Sequence, residues 1–216
     1  MIDIVYITDF MYTMPTLVSA KSLVLNKNED TEYNIHFMLT NGPKFYSKTD
    51  AYNVDYFDEL SSDKVKVSYH LCEDKYKEIK DLHHSVTGRA TSSALIKFLL
   101  PELLDCDKCI YLDGDTIITG DLTELYNTPI KTKLLAGVRD SSNLYINRET
   151  NDNFDYFNSG VMVMNLKKMR EDKITYKLIE AKKNQLPQIK FADQEAFNTV
   201  CKGKCKLVDL KWNFLV

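Results

Sequence analysis

The sequence predicts an α/β fold, with a mostly parallel central sheet in a single domain. Two observations lead to this prediction. Apolar strand-like runs alternate with helical patterns from the first residue onward, which is typical of successive β-α-β units. No repeat, linker or low-complexity segment divides the 216 residues, and this length suits one domain with a sizeable core.

The first half of the chain contains three strand candidates and two helix candidates. The opening run IDIVYIT is almost continuously apolar, as expected for a strand buried on both faces. Pro15 suits the first turn of the helix that follows, and Pro101 predicts a bend in the second helix. The strand candidates are residues 2–8, 34–40 and 64–71, and the helix candidates are residues 15–26 and 91–104.

The second half continues the alternation. The run CIYLD predicts a strand that leads into an acidic turn, and LTELY predicts a short helical turn after it. The remaining strand candidates are residues 134–138, 157–166 and 205–210, and the remaining helix candidates are residues 174–184 and 193–202. Because ligands of open α/β sheets bind beyond the carboxyl ends of the strands, the polar residues that follow each strand are the candidate site.

Composition excludes some classes of function. The net charge is -3 and no basic stripe is present, so we expect no nucleic-acid partner. The chain opens directly on a strand candidate and contains no run of about 18 apolar residues, so we expect neither a signal peptide nor a transmembrane segment. A cytoplasmic location follows as an expectation.

Five cysteines include two closely spaced pairs, CDKC and CKGKC. Two such pairs can build a tetrahedral zinc site, which is one interpretation. The other is packing, because Cys109 enters the CIYLD strand, where a small and often buried residue fits. We favour packing by reduced thiols.

The acidic turn YLDGDTIITGDL, residues 111–122, raises a question of charge. Carboxylates at the end of a buried strand need cationic or hydrogen-bonding partners. Asp113 and Asp115 are hard oxygen donors that could converge on Mg²⁺ or Mn²⁺, while Asp121 suits the N-terminus of the LTELY turn. The alternative is a solvated turn in which Gly114 provides backbone freedom. Neither of the glycine-rich phosphate-binding motifs is present.

Four ordered segments, VYITDFMY, YLDGDTIITGDLTELY, FNSGVMVMNL and ADQEAFN, resemble motifs of family 8 of the glycosyltransferases. This group contains bacterial lipopolysaccharide galactosyl- and glucosyltransferases and glycogenin. The resemblance runs from residue 2 to about residue 213. It implies the GT-A fold, a UDP-sugar donor and a saccharide or glycolipid acceptor.

The resemblance also implies roles for individual residues at the donor site. Asp113 and Asp115 match the metal-binding pair, with Mn²⁺ or Mg²⁺ as the cofactor, and Asp9 and Tyr12 match an aspartate that binds uracil and an aromatic that stacks on it. Without the motif, Tyr12 would be a half-buried aromatic at a helix start. Family members carry polar residues where this chain has Phe10 and Met11. The remaining residues implied to bind substrate are Ile7, Thr8, Lys97, Gly114, Asp140, Asn158 and Ser159.

Three of these matches have their own physical interpretation. Lys97 stands where the family has an arginine facing the diphosphate and sugar, so the charge is kept but the bidentate fork is lost. Its alternative is a solvated helix residue. Asp140 and Asn158 match contacts to the donor sugar. An asparagine within an apolar strand also needs hydrogen-bond partners, so Asn158 is marked independently of the resemblance.

Asp193 and Gln194 match the catalytic pair, beside the anomeric carbon and the acceptor, whereas the alternative for Asp193 is an ordinary N-cap. The family retains anomeric configuration without a clear pair of carboxylates, and Gln194 is a poor nucleophile. A front-face displacement is therefore expected. His83 and His84 are adjacent, so we expect them to be loop residues rather than joint ligands of one ion.

The family's third metal ligand is a histidine in a downstream H-x-x-G-x-x-K-P-W segment, which the 216 residues lack. Residues 1–216 then represent a GT-A-like domain from a longer protein, or metal binding relies on the aspartates, water and phosphate. A basic tail, which associates some relatives with membranes, would lie beyond Val216.

Three functions remain open at this point. The first is a retaining, metal-dependent transfer of glucose or galactose from UDP to a saccharide, in the synthesis of cell-surface polysaccharide or lipopolysaccharide. The second is a sugar-phosphate nucleotidyltransferase, and the third is a non-catalytic protein that binds nucleotide sugars.

Overall fold

The computed structural model describes residues 1–40, 55–82, 92–140, 155–184 and 192–214. Its centre is a seven-stranded sheet in the order β3-β2-β1-β4-β6-β5-β7. This confirms the α/β prediction. The strands are β1 (Ile2–Thr8), β2 (Tyr33–Leu39), β3 (Val65–Leu71), β4 (Cys109–Leu112), β5 (Leu135–Arg139), β6 (Phe157–Met164) and β7 (Cys205–Val208).

The sheet is mostly parallel, with one strand reversed. β1 runs parallel to β2 and β4, β2 runs parallel to β3, and β5 runs parallel to β7. β6 is antiparallel to both β4 and β5. The first residues of β6 therefore lie at the carboxyl ends of its two neighbours. This reversal, which the sequence did not predict, explains how Asn158, inside a strand, reaches the edge of the sheet where ligands bind.

Helices cover both faces of the sheet. They are α1 (Thr13–Leu25), α2 (Asp55–Asp58), α3 (Glu73–Ile79), α4 (Leu100–Leu103), α5 (Thr123–Tyr126), α6 (Leu166–Glu171), α7 (Ile174–Lys183) and α8 (Ala192–Val200), with 3-10 turns at Phe10–Tyr12, Lys80–Leu82, Ser92–Leu99 and Leu210–Trp212. Because side chains alternate along a strand, β1 contributes Val5 and Ile7 to one core cluster but Ile4 and Tyr6 to the other.

The segment predicted as one bent helix at residues 91–104 has a different form. A 3-10 helix over Ser92–Leu99 passes directly into α4, and Pro101 lies in the first turn of α4 rather than at a bend in a helix interior. Proline is tolerated in a first turn, where its missing N–H needs no partner. Nearly every side chain of the 3-10 helix is buried, and Phe98 packs edge-on against Phe197 of α8 at 5.5 Å between ring centroids.

Asp121 occupies the position expected of it, at the start of the LTELY turn. Its carboxylate accepts the backbone N–H of Thr123 at 2.8 Å and that of Asn28 at 2.9 Å. Burial alone would raise the pKa of Asp121, but these hydrogen bonds and those from nearby threonine side chains lower it from its ordinary value of 3.8 to about 2. Asp121 therefore links α5 to the loop after α1.

The cysteines are free thiols that pack in or against the core. Cys109 and Cys201 are fully buried, and burial raises the pKa of the Cys201 thiol to about 12. In the five described ranges, no group of three or more His, Cys, Asp or Glu side chains could hold a metal ion. His83 and His84 lie outside the described residues.

None of the described helices has the length and apolar character that would let it cross a bilayer.

Asn198 fixes α8 against the start of β6. It is buried, its Oδ1 accepts the N–H of Phe157 at 2.9 Å, and its Nδ2 donates to the carbonyl of Phe157 at 2.8 Å. Asn198 thereby pairs with both the N–H and the C=O of Phe157, at a point where the register between β6 and β5 shifts. The same bonds set the position of residues 193 and 194, one turn earlier in the helix.

We expect Asn198→Ala to lower the free energy of unfolding by about 1–3 kcal/mol, because it leaves a buried peptide N–H and C=O without partners. Urea denaturation followed by circular dichroism measures this change. Thr199→Ala, at the adjacent exposed position, is the matched control and should stay within about 0.5 kcal/mol of wild type. Equal effects of the two changes would contradict the role assigned to Asn198.

Asp121→Asn should lower stability in a pH-dependent way. Because the pKa of Asp121 is depressed in the folded protein, its stabilising effect is complete above pH about 4 and disappears as pH falls toward about 2. The difference in unfolding free energy between wild type and Asp121→Asn should shrink across that interval, as measured by urea denaturation at several pH values. Asp30→Asn, at a fully exposed carboxylate, is the control. A difference that is constant with pH would overturn this assignment.

Candidate active site

The residues singled out in the sequence lie together at one edge of the sheet. They follow the carboxyl ends of β1, β4 and β5, and they include the first residues of β6 and of α8. The 3-10 helix over Ser92–Leu99 supplies the remaining member, Lys97. Residues from six separate segments thus form one site, and the hydrogen bonds among them show how it is organised.

Lys97 is the central cation of the site. Its side chain is 3% exposed, and its Nζ lies 2.7 Å from Asp193 Oδ2 and 3.1 Å from Asp113 Oδ1. Nζ also lies over the ring of Tyr111, 4.7 Å from its centroid. Burial alone would lower the pKa of Lys97, but its attraction to Asp113 and Asp193 raises the pKa above the ordinary value. The interpretation of Lys97 as a solvated helix residue is therefore wrong.

Asp193 is not the N-cap of its helix, and its carboxylate is paired with that cation. It lies inside the first turn of α8, and its Oδ2 accepts from both Lys97 and the Ser159 hydroxyl, the latter at 3.1 Å. Burial would raise the pKa of Asp193, but attraction to Lys97 and these hydrogen bonds hold it below the ordinary range. The carboxylate of Asp193 is thus held in one position by Lys97 and Ser159.

Gln194 connects β6 to β5. Its Oε1 accepts the backbone N–H of Ser159 at 3.0 Å, and its Nε2 donates to Asp140 Oδ2 at 2.7 Å. Gln194 and Asp140 are each 4% exposed. Since both ends of the amide are engaged, its orientation is fixed, and its oxygen is already occupied by a donor.

The acidic turn after β4 differs from the predicted geometry. β4 ends at Leu112, one residue before the end of the predicted CIYLD strand, so Asp113 and Asp115 both belong to the turn. Asp113 is partly exposed and accepts the Tyr111 hydroxyl at 2.6 Å, while Asp115 is exposed. A Cβ at Gly114 would lie 2.3 Å from Thr16 Oγ1, so the turn requires glycine for space.

The side chain of Tyr12 is half-buried beyond the end of β1. Burial raises the pKa of Tyr12, and negative charge nearby raises it further. That charge comes from Asp115, Asp113 and Asp9. The acidic turn itself lies against the end of β1, because Gly114 packs on Thr16, whose hydroxyl donates to Thr8 Oγ1 at 3.2 Å.

Two carboxylates of the turn could hold a divalent cation. Within the described ranges, hydrogen bonds and ion pairs reach Oδ1 of Asp113 but not its Oδ2, and none reaches Asp115. Both are hard oxygen donors. With two protein ligands, an ion would keep most of its coordination positions for water or for oxygens of a bound substrate. The residues present fit such an ion.

The end of β1 holds a buried polar chain. Asp9 is 1% exposed, its Oδ1 accepts the N–H of Tyr12 at 3.1 Å, and its Oδ2 accepts the Ser93 hydroxyl at 3.1 Å. Ser93 in turn accepts from Thr40 Oγ1 at 2.7 Å. The neighbouring Ile7 and Thr8 are buried in β1. Ser93 and Thr40 were not identified in the sequence, because a hydroxyl in an apolar segment gives no distinctive pattern.

Asn158 has the partners that a polar residue in an apolar strand requires. Its Oδ1 accepts the N–H of Gly160 and the side-chain amide of Asn213, each at 2.8 Å. A Cβ at Gly160 would lie 2.9 Å from both Asn158 Oδ1 and Asp113 Oδ2. Those two atoms are therefore close together, and glycine is what makes room for them.

Comparison with known proteins finds glycosyltransferases that are similar to this chain. The lipopolysaccharide 1,2-glucosyltransferase of Escherichia coli K12 is 27% identical over 222 residues, which cover 98% of this chain and 62% of the relative. Glycosyltransferase GlyE of Streptococcus pneumoniae is 28% identical over 120 residues, covering 56% of this chain and 27% of the relative. The chain spans less than two thirds of the length of these curated relatives.

Solved structures show the same fold. The galactosyltransferase LgtC, in complex with donor and acceptor sugar analogues, superposes with a TM-score of 0.75 at 25% identity over 97% of this chain and 74% of LgtC. GlyE superposes with a TM-score of 0.71 over 98% of this chain and 46% of GlyE. The predicted GT-A fold is confirmed. The sequence model of glycosyl transferase family 8 matches residues 3–216, so the chain belongs to that family.

Proposed function

We propose that the protein is a retaining glycosyltransferase that moves glucose or galactose from a UDP-sugar to a saccharide or glycolipid acceptor, in the synthesis of lipopolysaccharide or another cell-surface polysaccharide. The observation that carries the proposal is the buried Lys97, paired with Asp113 and Asp193 between the acidic turn and α8. Family membership and the similarity to an LPS glucosyltransferase and to LgtC support it.

In this proposal the end of β1 binds the nucleoside. Asp9 is buried at the end of β1, and its Oδ1 accepts the backbone N–H of Tyr12, whose side chain is half-buried. The carboxylate would accept a hydrogen bond from uracil, and the Tyr12 ring would stack on the base. Ile7 and Thr8, which are buried at the end of β1, would line the same part of the nucleoside site. Phe10 and Met11 stand where the family has polar residues, and they make this part of the base contact apolar.

The acidic turn would hold the diphosphate through a cation. Asp113 and Asp115 are the ligands for Mn²⁺ or Mg²⁺, and Gly114 keeps the turn close to α1. When bound, the ion offsets the charge that develops on the departing UDP. Lys97 adds a fixed positive charge behind Asp113, in a site where few water molecules would screen it.

The sugar would lie between β5, β6 and α8. Asp140, Asn158 and Ser159 supply hydroxyl contacts. Asp193 and Gln194 are consecutive residues in the first turn of α8, where they would face the anomeric carbon. Because the Gln194 oxygen already accepts from Ser159 N–H, it is poorly placed as a nucleophile. We favour a front-face displacement in which the leaving phosphate accepts the acceptor's proton.

UDP with Mn²⁺ should raise the melting temperature. At a concentration 100-fold above the dissociation constant, binding contributes about 2.7 kcal/mol, which corresponds to a shift of about 5–10 °C for a chain of this size. Asp113→Asn should abolish most of this shift, measured against its own unliganded melting temperature by differential scanning fluorimetry. Asp30→Asn is the control and should shift like wild type. Absence of any shift with every nucleoside diphosphate tested would count against the proposal.

A panel of UDP-sugars assayed with Mn²⁺ should show UDP release from UDP-glucose or UDP-galactose. Asp193→Asn should lower the release rate at least 100-fold, since it removes a charge fixed beside the reacting centre. Thr199→Ala, on the exposed face of α8, should leave the rate unchanged.

The same assay separates the three functions that the sequence left open. Pyrophosphate release from a sugar phosphate and a nucleoside triphosphate would identify a nucleotidyltransferase instead. Donor binding without UDP release, across a broad set of acceptors and with any longer product of the gene, would identify a non-catalytic binding protein.

A further inference from the structure

We propose that Asn213 is a positioning residue: its side-chain amide fixes the orientation of Asn158, so that Asn158 presents its two N–H groups to the donor sugar. The inference rests on the proposed function and adds a residue that the sequence motifs did not single out. It depends on one contact, in which Asn213 Nδ2 donates to Asn158 Oδ1 at 2.8 Å.

The orientation of the Asn158 amide follows from its neighbours. A backbone N–H can only donate, so the atom 2.8 Å from Gly160 N must be the carbonyl oxygen of Asn158. The group of Asn213 that lies 2.8 Å from the same oxygen must then be its NH₂. Two donors thus hold one oxygen, and rotation of the amide by 180° would bring an N–H group against both of them.

This arrangement leaves the other end of Asn158 for a ligand. In the part of the chain that the structure describes, no protein group accepts a hydrogen bond from Asn158 Nδ2. The side chain is half-buried, and it lies beside Asp113 across Gly160. A hydroxyl oxygen of a sugar, which accepts such hydrogen bonds, matches the two N–H groups.

Asn213 is itself held in place by the turn that follows β7. Its backbone N–H donates to Leu210 O at 3.1 Å, which closes the 3-10 turn Leu210–Trp212. Asp209 begins that turn by accepting the N–H of Lys211 at 2.8 Å, and the Lys211 ammonium pairs with Glu124 of α5 at 2.8 Å. These hydrogen bonds and the ion pair hold the turn in place, so Asn213 at its end can fix the orientation of another side chain.

Binding measurements test this role. Asn213→Ala should weaken UDP-sugar binding about threefold to tenfold, the effect of one hydrogen bond, while the affinity for UDP stays the same because Asn158 contacts only the sugar. Isothermal titration calorimetry with Mn²⁺ gives both constants. Asn213→Asp keeps the shape but places a carboxylate oxygen against Asn158 Oδ1, so it should weaken UDP-sugar binding at least as much. Asn213→Gln, which keeps an N–H donor, should recover part of the affinity.

A double-mutant cycle distinguishes positioning from a structural effect. In an Asn158→Ala background, Asn213→Ala should cause no further loss of UDP-sugar affinity. Phe214→Ala, whose side chain is 80% exposed, is the matched control and should bind like wild type. Equal losses for UDP and UDP-sugar, or losses that add in the double mutant, would overturn the inference.

A second measurement needs no ligand and keeps the inference separate from the proposed function. The side-chain amide signals of Asn158 in a ¹H–¹⁵N spectrum can be assigned by their disappearance in Asn158→Ala. They should shift in Asn213→Ala and stay in place in Phe214→Ala. Unchanged signals would refute the positioning role even if the donor binds. If wild type binds no UDP-sugar but the signals shift, the proposed function fails while the orientation of Asn158 by Asn213 stands.

Discussion

The burial of the Lys97 ammonium is the constraint on which the rest of the site depends. An ammonium 3% exposed to solvent is costly unless carboxylates surround it, and the structure supplies one from the turn after β4 and one from the start of α8. Because Asp113 and Asp193 are far apart in sequence, the pairing fixes the distance between two segments that would otherwise be independent. Ser159, which donates to Asp193, joins β6 to the same arrangement.

That arrangement leaves an excess of negative charge at the edge of the sheet. Lys97 offsets one of its two carboxylates, while Asp9 and Asp115 add further negative charge around Tyr12. A diphosphate approaching the acidic turn would be repelled by it, and one buried lysine is too little to reverse the sign of the field. A divalent ion held by Asp113 and Asp115 resolves this conflict, which is the physical reason to include one in the proposed function.

The sequence predicted the strands and most helices because their patterns are local. It did not predict that β6 runs antiparallel, since a buried strand is equally apolar in either direction and its partner is chosen by distant residues. The same limit applies to the site. Asn158 stands out even without the resemblance, as a polar residue in an apolar strand. The burial of Lys97 depends instead on two carboxylates whose positions only the fold supplies. Ser93 and Asn213 contact residues that are distant in the sequence, Asp9 and Asn158, and no local pattern marks them.

The burial of Lys97 also bears on whether lysine weakens a site where the family has arginine. A guanidinium has a planar fork that suits one carboxylate bidentately, but Lys97 lies between two carboxylates and above an aromatic ring. A compact ammonium with three donors fits that position. Two donors face the two carboxylates, the Ser159 carbonyl lies 3.5 Å from Nζ, and the face of the Tyr111 ring attracts the positive charge. Lysine in place of the family's arginine therefore fits the contacts at this position, and it does not indicate a site that has lost its function. The lysine therefore gives no support to the interpretation of the chain as a non-catalytic protein that binds nucleotide sugars.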